Sequence, residues 1–377
     1  MSKFYLMRKD IPVCEFSVHE KADDRVEVGL IKVFDEKRLP VEMRVNPNIA
    51  YYLSKRFSPT LHGIVGYSVL RKKKPLATCF EDLLDFTGGF SLIDDFWIKR
   101  SDDKAKSWDE CNLFKNGISE EISELAFTGE GTHNITGFTR SPEFTTDGHV
   151  SKAWREIDGI IYLYKAGLPW KGQYASEQFS EYYAAQVAEI LGLSYVKYSL
   201  DMWMGQVCSV CELFTSEDVS YISARSLFLD MNDYIQSLDR DSSQYQELAD
   251  TLLFDALTVN IRHLGNFGFI QDNTTLEIVG LAPIFDNGMA LLGELSNTDL
   301  QNPVCKSVYF MIGERMYAIA KPELIRSLLT KRQRNLAKDM AGFKFKRHSK
   351  FNLNEERLEL LESIIQSRAE FLSEATE

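Results

Sequence analysis

Histidine and cysteine are both scarce in this chain, with six of each among 377 residues. The cysteines stand at 14, 79, 111, 208, 211 and 305, too thin a scatter for a disulfide scaffold. That usage fits a reducing cytoplasm. No two histidines form a helix-spaced pair such as His-Glu-x-x-His. Cys208-Ser-Val-Cys211 is formally Cys-x-x-Cys, but no second pair exists to complete a zinc site. On a strand those two cysteines face opposite sides. Long apolar runs are also absent: nothing approaches the roughly 20 residues of a membrane span. Met1-Ser-Lys-Phe-Tyr-Leu-Met-Arg-Lys-Asp10 meets charge too early for a signal peptide, so a cytoplasmic protein without a membrane partner is expected. Positive charge is in deficit, 43 Lys and Arg against 55 Asp and Glu, a net of −12. Direct, non-specific nucleic-acid binding is therefore disfavoured. There is no internal repeat, no Walker A motif and no Gly-x-Gly-x-x-Gly.

What is present is a 44% apolar chain, enough for two or three domains with cores. Its most informative stretch runs from Asp255 to Gly288. Phe267–Ile270 and Leu276–Leu281 are apolar runs separated by the polar Gln271–Thr275, whose Asp272 and Asn273 suit a turn. The pattern predicts a β-hairpin. Asn266 just before it and Asp286 just after it should then meet at one end. An amide oxygen and a carboxylate that converge can hold a hard cation such as Mg²⁺ beside phosphate.

Arg262-His263-Leu-Gly-Asn266-Phe-Gly followed by Pro283-Ile-Phe-Asp286-Asn-Gly resembles the catalytic core of the HipA-like bacterial serine/threonine kinases. The resemblance implies that Asn266 and Asp286 hold the metal ions on ATP, as the catalytic-loop Asn and downstream Asp do in protein kinases. It also exposes a gap. The family loop reads Asn-x-Asp-Arg-His-x-x-Asn, and its Asp is the catalytic base. Here the loop reads Asn260-Ile-Arg262-His263-Leu-Gly-Asn266. One residue is missing between Ile261 and Arg262, and it is the base. Asn260 cannot replace it, because an amide takes no proton at neutral pH. His263 is read as a residue that packs and orients the loop.

Residues 1–125 read as a separate α+β module. Tyr5–Met7, Val13–Val18 and Val26–Phe34 are β-like, and Asn46–Phe57 and Phe80–Phe86 read as short helices. Clustered aromatics around Phe90–Ile98 and Trp108–Asn116 suggest a packed, loop-rich unit, which also resembles a region preceding HipA-like kinase domains. Arg71-Lys-Lys-Lys74 is a dense basic run, read as a solvated face. Gly129–Gly137 is a flexible join. By the resemblance, Thr145-Thr-Asp-Gly148-His-Val-Ser-Lys152 matches a Ser-x-x-Gly-x-x-x-Lys phosphate loop, with Thr145 at the autophosphorylated position.

Gly159–Gly167 predicts a strand on which Ile161, Leu163 and Lys165 share a face. Glu177–Leu191 predicts a helix, with Ser176 as N-cap and Gly192 as stop. One stripe carries Phe179, Tyr183, Val187 and Ile190. Another carries Glu181, Ala184, Ala185 and Ala188, and small alanines let a strand approach. Glu181 could then reach Lys165, the lysine–glutamate pair by which kinases position ATP phosphates. Gln206–Thr215 predicts a strand whose end, Glu212 to Phe214, sits where kinase lobes join and adenine is held. Tyr245–Leu257 predicts a helix feeding the catalytic loop, and Pro322 and Asn354 mark two more. Between those last two lie Lys331, Arg332, Arg334, Lys338, Lys344, Lys346, Arg347 and Lys350. This patch is either a solvated face or a docking site for an acidic partner or nucleic acid.

The expected architecture is a two-lobed, kinase-like α/β domain behind an N-terminal α+β module, divided 1–125, 126–214 and 215–377. The expected function is an ATP- and Mg²⁺-dependent protein kinase acting on serine or threonine of a protein substrate. By the resemblance it would be the toxin-like member of a toxin–antitoxin pair, with an antitoxin-like partner. The alternative is a nucleotide-binding pseudokinase that works by binding a partner, or as part of a DNA-binding regulatory complex.

Overall fold

The computed structural model describes residues 2–20, 26–56, 80–128, 151–167, 176–228, 231–260, 265–293, 295–301 and 322–374. They form a mixed α/β protein with several antiparallel sheets. The chain divides into two compact units that do not follow chain order. The first is Met1–Lys165, Thr215–Tyr221 and Gln271–Ile278; the second is Ala166–Phe214, Ile222–Ile270 and Val279–Glu377.

In the first unit, β1 (Ser2–Arg8), β2 (Ile11–Glu20), β3 (Val26–Val33) and β4 (Phe96–Arg100) make one sheet in the order β3-β2-β1-β4. All three pairings are antiparallel. The β-like run expected at residues 13–18 lies within β2, where Cys14, Phe16 and Val18 alternate into the core and Val13 is buried beside Cys14. Helices Ile49–Arg56 and Phe80–Thr87 supply Leu53 and Leu84 to the same core. A further short helix, Val41–Val45, precedes the first of them. The aromatic cluster is real: Phe90 stacks on Trp97 at 5.3 Å and lies 6.0 Å from Trp108. β5 (Lys152–Ile157) and β6 (Ile160–Ala166) form an antiparallel hairpin in register Lys152↔Lys165 to Ile157↔Ile160.

In the second unit the Glu177–Ile190 helix packs on β7 (Tyr198–Trp203) and β8 (Gln206–Glu212). Ala184, Ala185 and Ala188 are all buried, and this small-residue face is what admits the two strands. Gly192 ends the helix at φ +64, a conformation that favours glycine. Ser176 does not cap the helix with its side chain; it donates instead to the Gly293 carbonyl at 2.9 Å. Its backbone, at φ −116 and ψ −13, is not in the extended conformation from which an N-cap side chain accepts the helix amides. Ile190 is 51% exposed rather than part of the buried stripe, because it lies at the last turn where no neighbour covers it.

The Ser243–Thr258 helix begins with Ser242 accepting from the Tyr245 amide at 3.1 Å. Its Leu248, Leu253, Phe254 and Leu257 join Tyr183, Val187, Leu358 and Leu361 in the second core. The long Glu355–Ser373 helix is capped by Asn354, which accepts from the Arg357 amide at 2.8 Å. β9 (Val219–Ser223), β10 (Gly268–Asp272) and β11 (Ile278–Leu281) make a three-stranded sheet of order β11-β10-β9. The predicted hairpin is therefore present. Its turn is closed by Asp272 Oδ1, which accepts from the Thr274 and Thr275 amides at 2.9 and 2.7 Å.

Cys208 and Cys211 are both buried on β8. No helix among the described residues is long and apolar enough to cross a membrane.

Candidate functional site

The hairpin brings Asn266 and Asp286 together: Asn266 Nδ2 donates to Asp286 Oδ2 at 2.6 Å. Asp286 is held from behind, its backbone N–H donating to the Tyr198 hydroxyl at 3.0 Å. Its φ is +51, a left-handed conformation that Asp tolerates better than most side chains. Burial, reinforced by Glu181 and Asp286 nearby, raises the Tyr198 phenol well above its usual range, so it stays protonated. Just before Asp286, Ile284 is locked by its N–H to the Ser194 carbonyl and its carbonyl to the Val196 N–H, both 2.9 Å. The Phe285 ring packs on Phe214 at 5.1 Å, which sets the end of the β8 segment beside the Asp286 turn.

The loop entrance is built from the other side. The Ser243–Thr258 helix terminates at Val259, φ 51 and ψ 42, an uncommon and strained state for a β-branched residue. Asn260 then turns back. Its N–H reaches the Asp255 carbonyl at 2.9 Å, and its Nδ2 bridges Asp255 Oδ1 at 2.9 Å and Asn287 Oδ1 at 3.2 Å. The Asn260 Oδ1 is buried with no partner among the described residues. Asn260 thus ties the end of one helix to the residue next to Asp286. Arg262 and His263 lie outside the described residues, as do Thr145 and Gly148 of the expected phosphate loop and the Arg71–Lys74 run.

Glu181 is buried on the Glu177–Ile190 helix and accepts from the Ser209 hydroxyl of β8. Lys165 closes the first unit. It stands directly opposite Lys152 in the β5–β6 register, so the two side chains leave the hairpin on one face. Lys152 is only 6% exposed. Glu212 is exposed at the end of β8.

Asn266 and Asp286 carry hard oxygen donors of the kind that Mg²⁺ takes together with phosphate and water. Rotation of the Asn266 amide would present its oxygen in place of the nitrogen that now meets the carboxylate. Among the described residues there is no cluster of three or more His, Cys, Asp or Glu fit to hold a metal alone. Sequence reasoning did not find Tyr198, Ser209, Asp255 or Asn287. Only Asn287 carried a signal, its adjacency to Asp286; the others are distant in sequence and meet the site through packing.

Three of the eight basic residues of the 331–350 patch pair with carboxylates within the second unit. Arg332 pairs with Asp250 and Arg347 with Glu355, while Lys344 and Arg347 both reach the buried Glu362, at 2.7 and 2.5 Å.

The described residues thus place an Asn–Asp pair at the base of a hairpin in a mixed α/β chain. No protein-family model matches the chain. It is similar to the serine/threonine-protein kinase CtkA of Helicobacter pylori (strain J99), 26% identical over 159 residues that cover 37% of this chain and 47% of that protein. The chain thus spans about half the length of that curated relative. Similar solved structures include a Helicobacter pylori proinflammatory kinase CtkA, at 18% identity and TM-score 0.41, covering 59% of this chain and 92% of that one. A second is the HipA of a Shewanella oneidensis MR-1 toxin–antitoxin system in complex with HipB and operator DNA. It is 13% identical, with TM-score 0.47, covering 97% of this chain and 96% of that one. The chain resembles the HipA-like kinases.

Proposed function

We propose that this chain binds ATP with Mg²⁺ through a HipA-like kinase site and transfers phosphate to a protein serine or threonine only slowly. The observation that carries the reading is the Asn266–Asp286 contact at 2.6 Å across the hairpin base. Asn266 and Asp286 would hold the metal ion, which neutralises charge on the transferring phosphoryl group. Lys165, opposite Lys152 in the β5–β6 register, is the lysine assigned by the resemblance to the ATP phosphates. Glu181 is the proposed carboxylate partner of Lys165. Phe214 and Glu212 would border the adenine, with Phe214 steadied by Phe285. Thr145, Gly148 and Lys152 are assigned to the phosphate loop by the resemblance alone.

Slow transfer follows from the loop. No carboxylate stands five residues before Asn266, where Ile261 falls, and general-base contributions run to about 10²–10⁴-fold. Positioning and electrostatics supply much of phosphoryl transfer, so nucleotide binding survives such a loss.

The same observations favour a second reading, a pseudokinase that binds nucleotide and acts through a protein partner, antitoxin-like by the resemblance. Calorimetric titration with Mg-ATP tests the shared core of both. Measurable affinity that drops at least about tenfold in Asp286→Ala is expected. Undiminished affinity in the variant would remove the metal-site assignment. Mass spectrometry after incubation with Mg-ATP then separates slow kinase from pseudokinase.

A further inference from the structure

We infer that Tyr198, at the start of β7, is a positioning residue whose hydroxyl holds the peptide bond between Phe285 and Asp286 in the turn that aims the Asp286 carboxylate at Asn266. This rests on the reading of Asn266 and Asp286 as the metal-holding pair. All the residues involved lie within the second unit.

The chain approaches Asp286 as the start of a parallel ladder. Ile284 is bridged in parallel to the 194–196 stretch. Its N–H donates to the Ser194 carbonyl and its carbonyl accepts from the Val196 N–H, both at 2.9 Å. Parallel bonds recur evenly along a strand, so a regular continuation would send the Asp286 N–H to the Val196 carbonyl. The Asp286 N–H goes to the Tyr198 hydroxyl instead, at 3.0 Å. A side-chain oxygen has taken the place of a backbone acceptor. That substitution lets Asp286 leave the extended region for φ +51, where its carboxylate meets Asn266 Nδ2 at 2.6 Å. The left-handed region carries a steric cost for any residue with a Cβ, so a bond that exists only in the turned state is needed to favour it.

The phenol is itself well fixed. Tyr198 pairs with Cys211 across β7 and β8, and it is buried with Leu200 and Trp203 of the same strand. β7 in turn packs on the Glu177–Ile190 helix. Burial and the Glu181, Cys211 and Asp286 charges all oppose ionisation, so the hydroxyl stays neutral.

The flanks of Asp286 are held by other groups. On one side Ile284 is bonded in both directions, and the Phe285 ring packs on Phe214 at 5.1 Å. On the other, Asn287 Oδ1 accepts from Asn260 Nδ2 at 3.2 Å, and the Asn287 carbonyl accepts from the Ala290 N–H at 3.0 Å. Loss of the phenol oxygen would therefore not melt the segment. It would free one peptide to rotate in place toward the extended state, and that rotation swings the carboxylate away from Asn266.

The test compares Tyr198→Phe with the wild type in the full chain. Tyr195→Phe is the control, because the Tyr195 hydroxyl is bonded to Glu189. Hydrogen exchange at the Asp286 amide should be about tenfold faster or more in Tyr198→Phe, while the Val196 and Ile284 amides keep wild-type protection. In calorimetry Mg-ATP affinity should fall about tenfold, and affinity for ATP in excess EDTA should stay within about twofold, because a misaimed carboxylate costs the metal and not the nucleotide. Tyr195→Phe should match the wild type throughout. Adding Tyr198→Phe to Asp286→Asn should cost little further affinity, since the carboxylate to be aimed is already gone. Wild-type Mg-ATP affinity in Tyr198→Phe, equal losses with and without Mg²⁺, or fully additive losses in the double variant would each overturn the inference. Should Tyr198→Phe not fold, the wild type decides: an Asp286 amide as protected as that of Ile284 supports the phenol contact, and exchange as fast as in an open loop overturns it. If the wild type binds no Mg-ATP, the metal reading fails, and exchange at Asp286 in Tyr198→Phe still decides whether the phenol holds that peptide.

Discussion

Asn266 and Asp286, twenty positions apart in the chain, share a 2.6 Å hydrogen bond across the base of the β10–β11 hairpin. Asp286 also sits at φ +51, so a substitution there changes both charge and backbone preference. Asp286→Asn separates the two, because Asn tolerates the left-handed region. It should keep the melting temperature near wild type and still weaken Mg-ATP binding, by about tenfold in calorimetry. Wild-type affinity in Asp286→Asn would mean that the carboxylate does not bind metal.

Inserting one Asp between Ile261 and Arg262 recreates Asn-Ile-Asp-Arg-His-Leu-Gly-Asn. Single-turnover transfer from labelled ATP should rise by about 10²-fold or more, with little change in ATP affinity, because a base acts in transfer and not in holding nucleotide. Equal rates with and without the insertion would show that another group orients the hydroxyl.

Any surviving autophosphorylation should fall on Thr145 or a neighbouring hydroxyl of residues 141–151. Peptide mapping after incubation with Mg-ATP reads this directly. Phosphate found only elsewhere in the chain would count against the phosphate-loop assignment.

Glu362 accepts from Lys344 Nζ at 2.7 Å, Arg347 Nη1 at 2.5 Å and the Phe345 amide at 3.0 Å. Burial pushes its carboxyl up, but those donors together outweigh burial and hold it below the ordinary value of 4.5. A carboxylate depressed in the folded state stabilises above its unfolded value and loses that contribution as pH falls through the folded one. Stability measured by urea denaturation should therefore be level near neutral pH and fall below about pH 4.5, with a shallower acid slope in Glu362→Gln. An identical slope in both proteins would assign the acid loss to other groups.

Local chemistry made much of this protein legible in the sequence. The β-like run from Val13 to Val18, the polar Gln271–Thr275 break between apolar runs, and Asn354 before Glu355 each specify an element through nearest neighbours. The hairpin alone implies that Asn266 and Asp286 meet, because a two-strand ribbon returns its ends to one place. The absence of a loop Asp is likewise a fact of sequence. Other features depended on groups far away in the chain. Ser176 reads as a cap, but its hydroxyl donates to the Gly293 carbonyl, 117 residues away, and its helical backbone does not present the oxygen to the helix amides. Tyr198 and Ser209 became neighbours of Asp286 and Glu181 only when β7 and β8 settled on an alanine face. Arg8 carries no motif at all. Its contacts with Gln271 and Asn273 exist because the sheet buries a cation that must find oxygens, and the hairpin tip is where folding placed them.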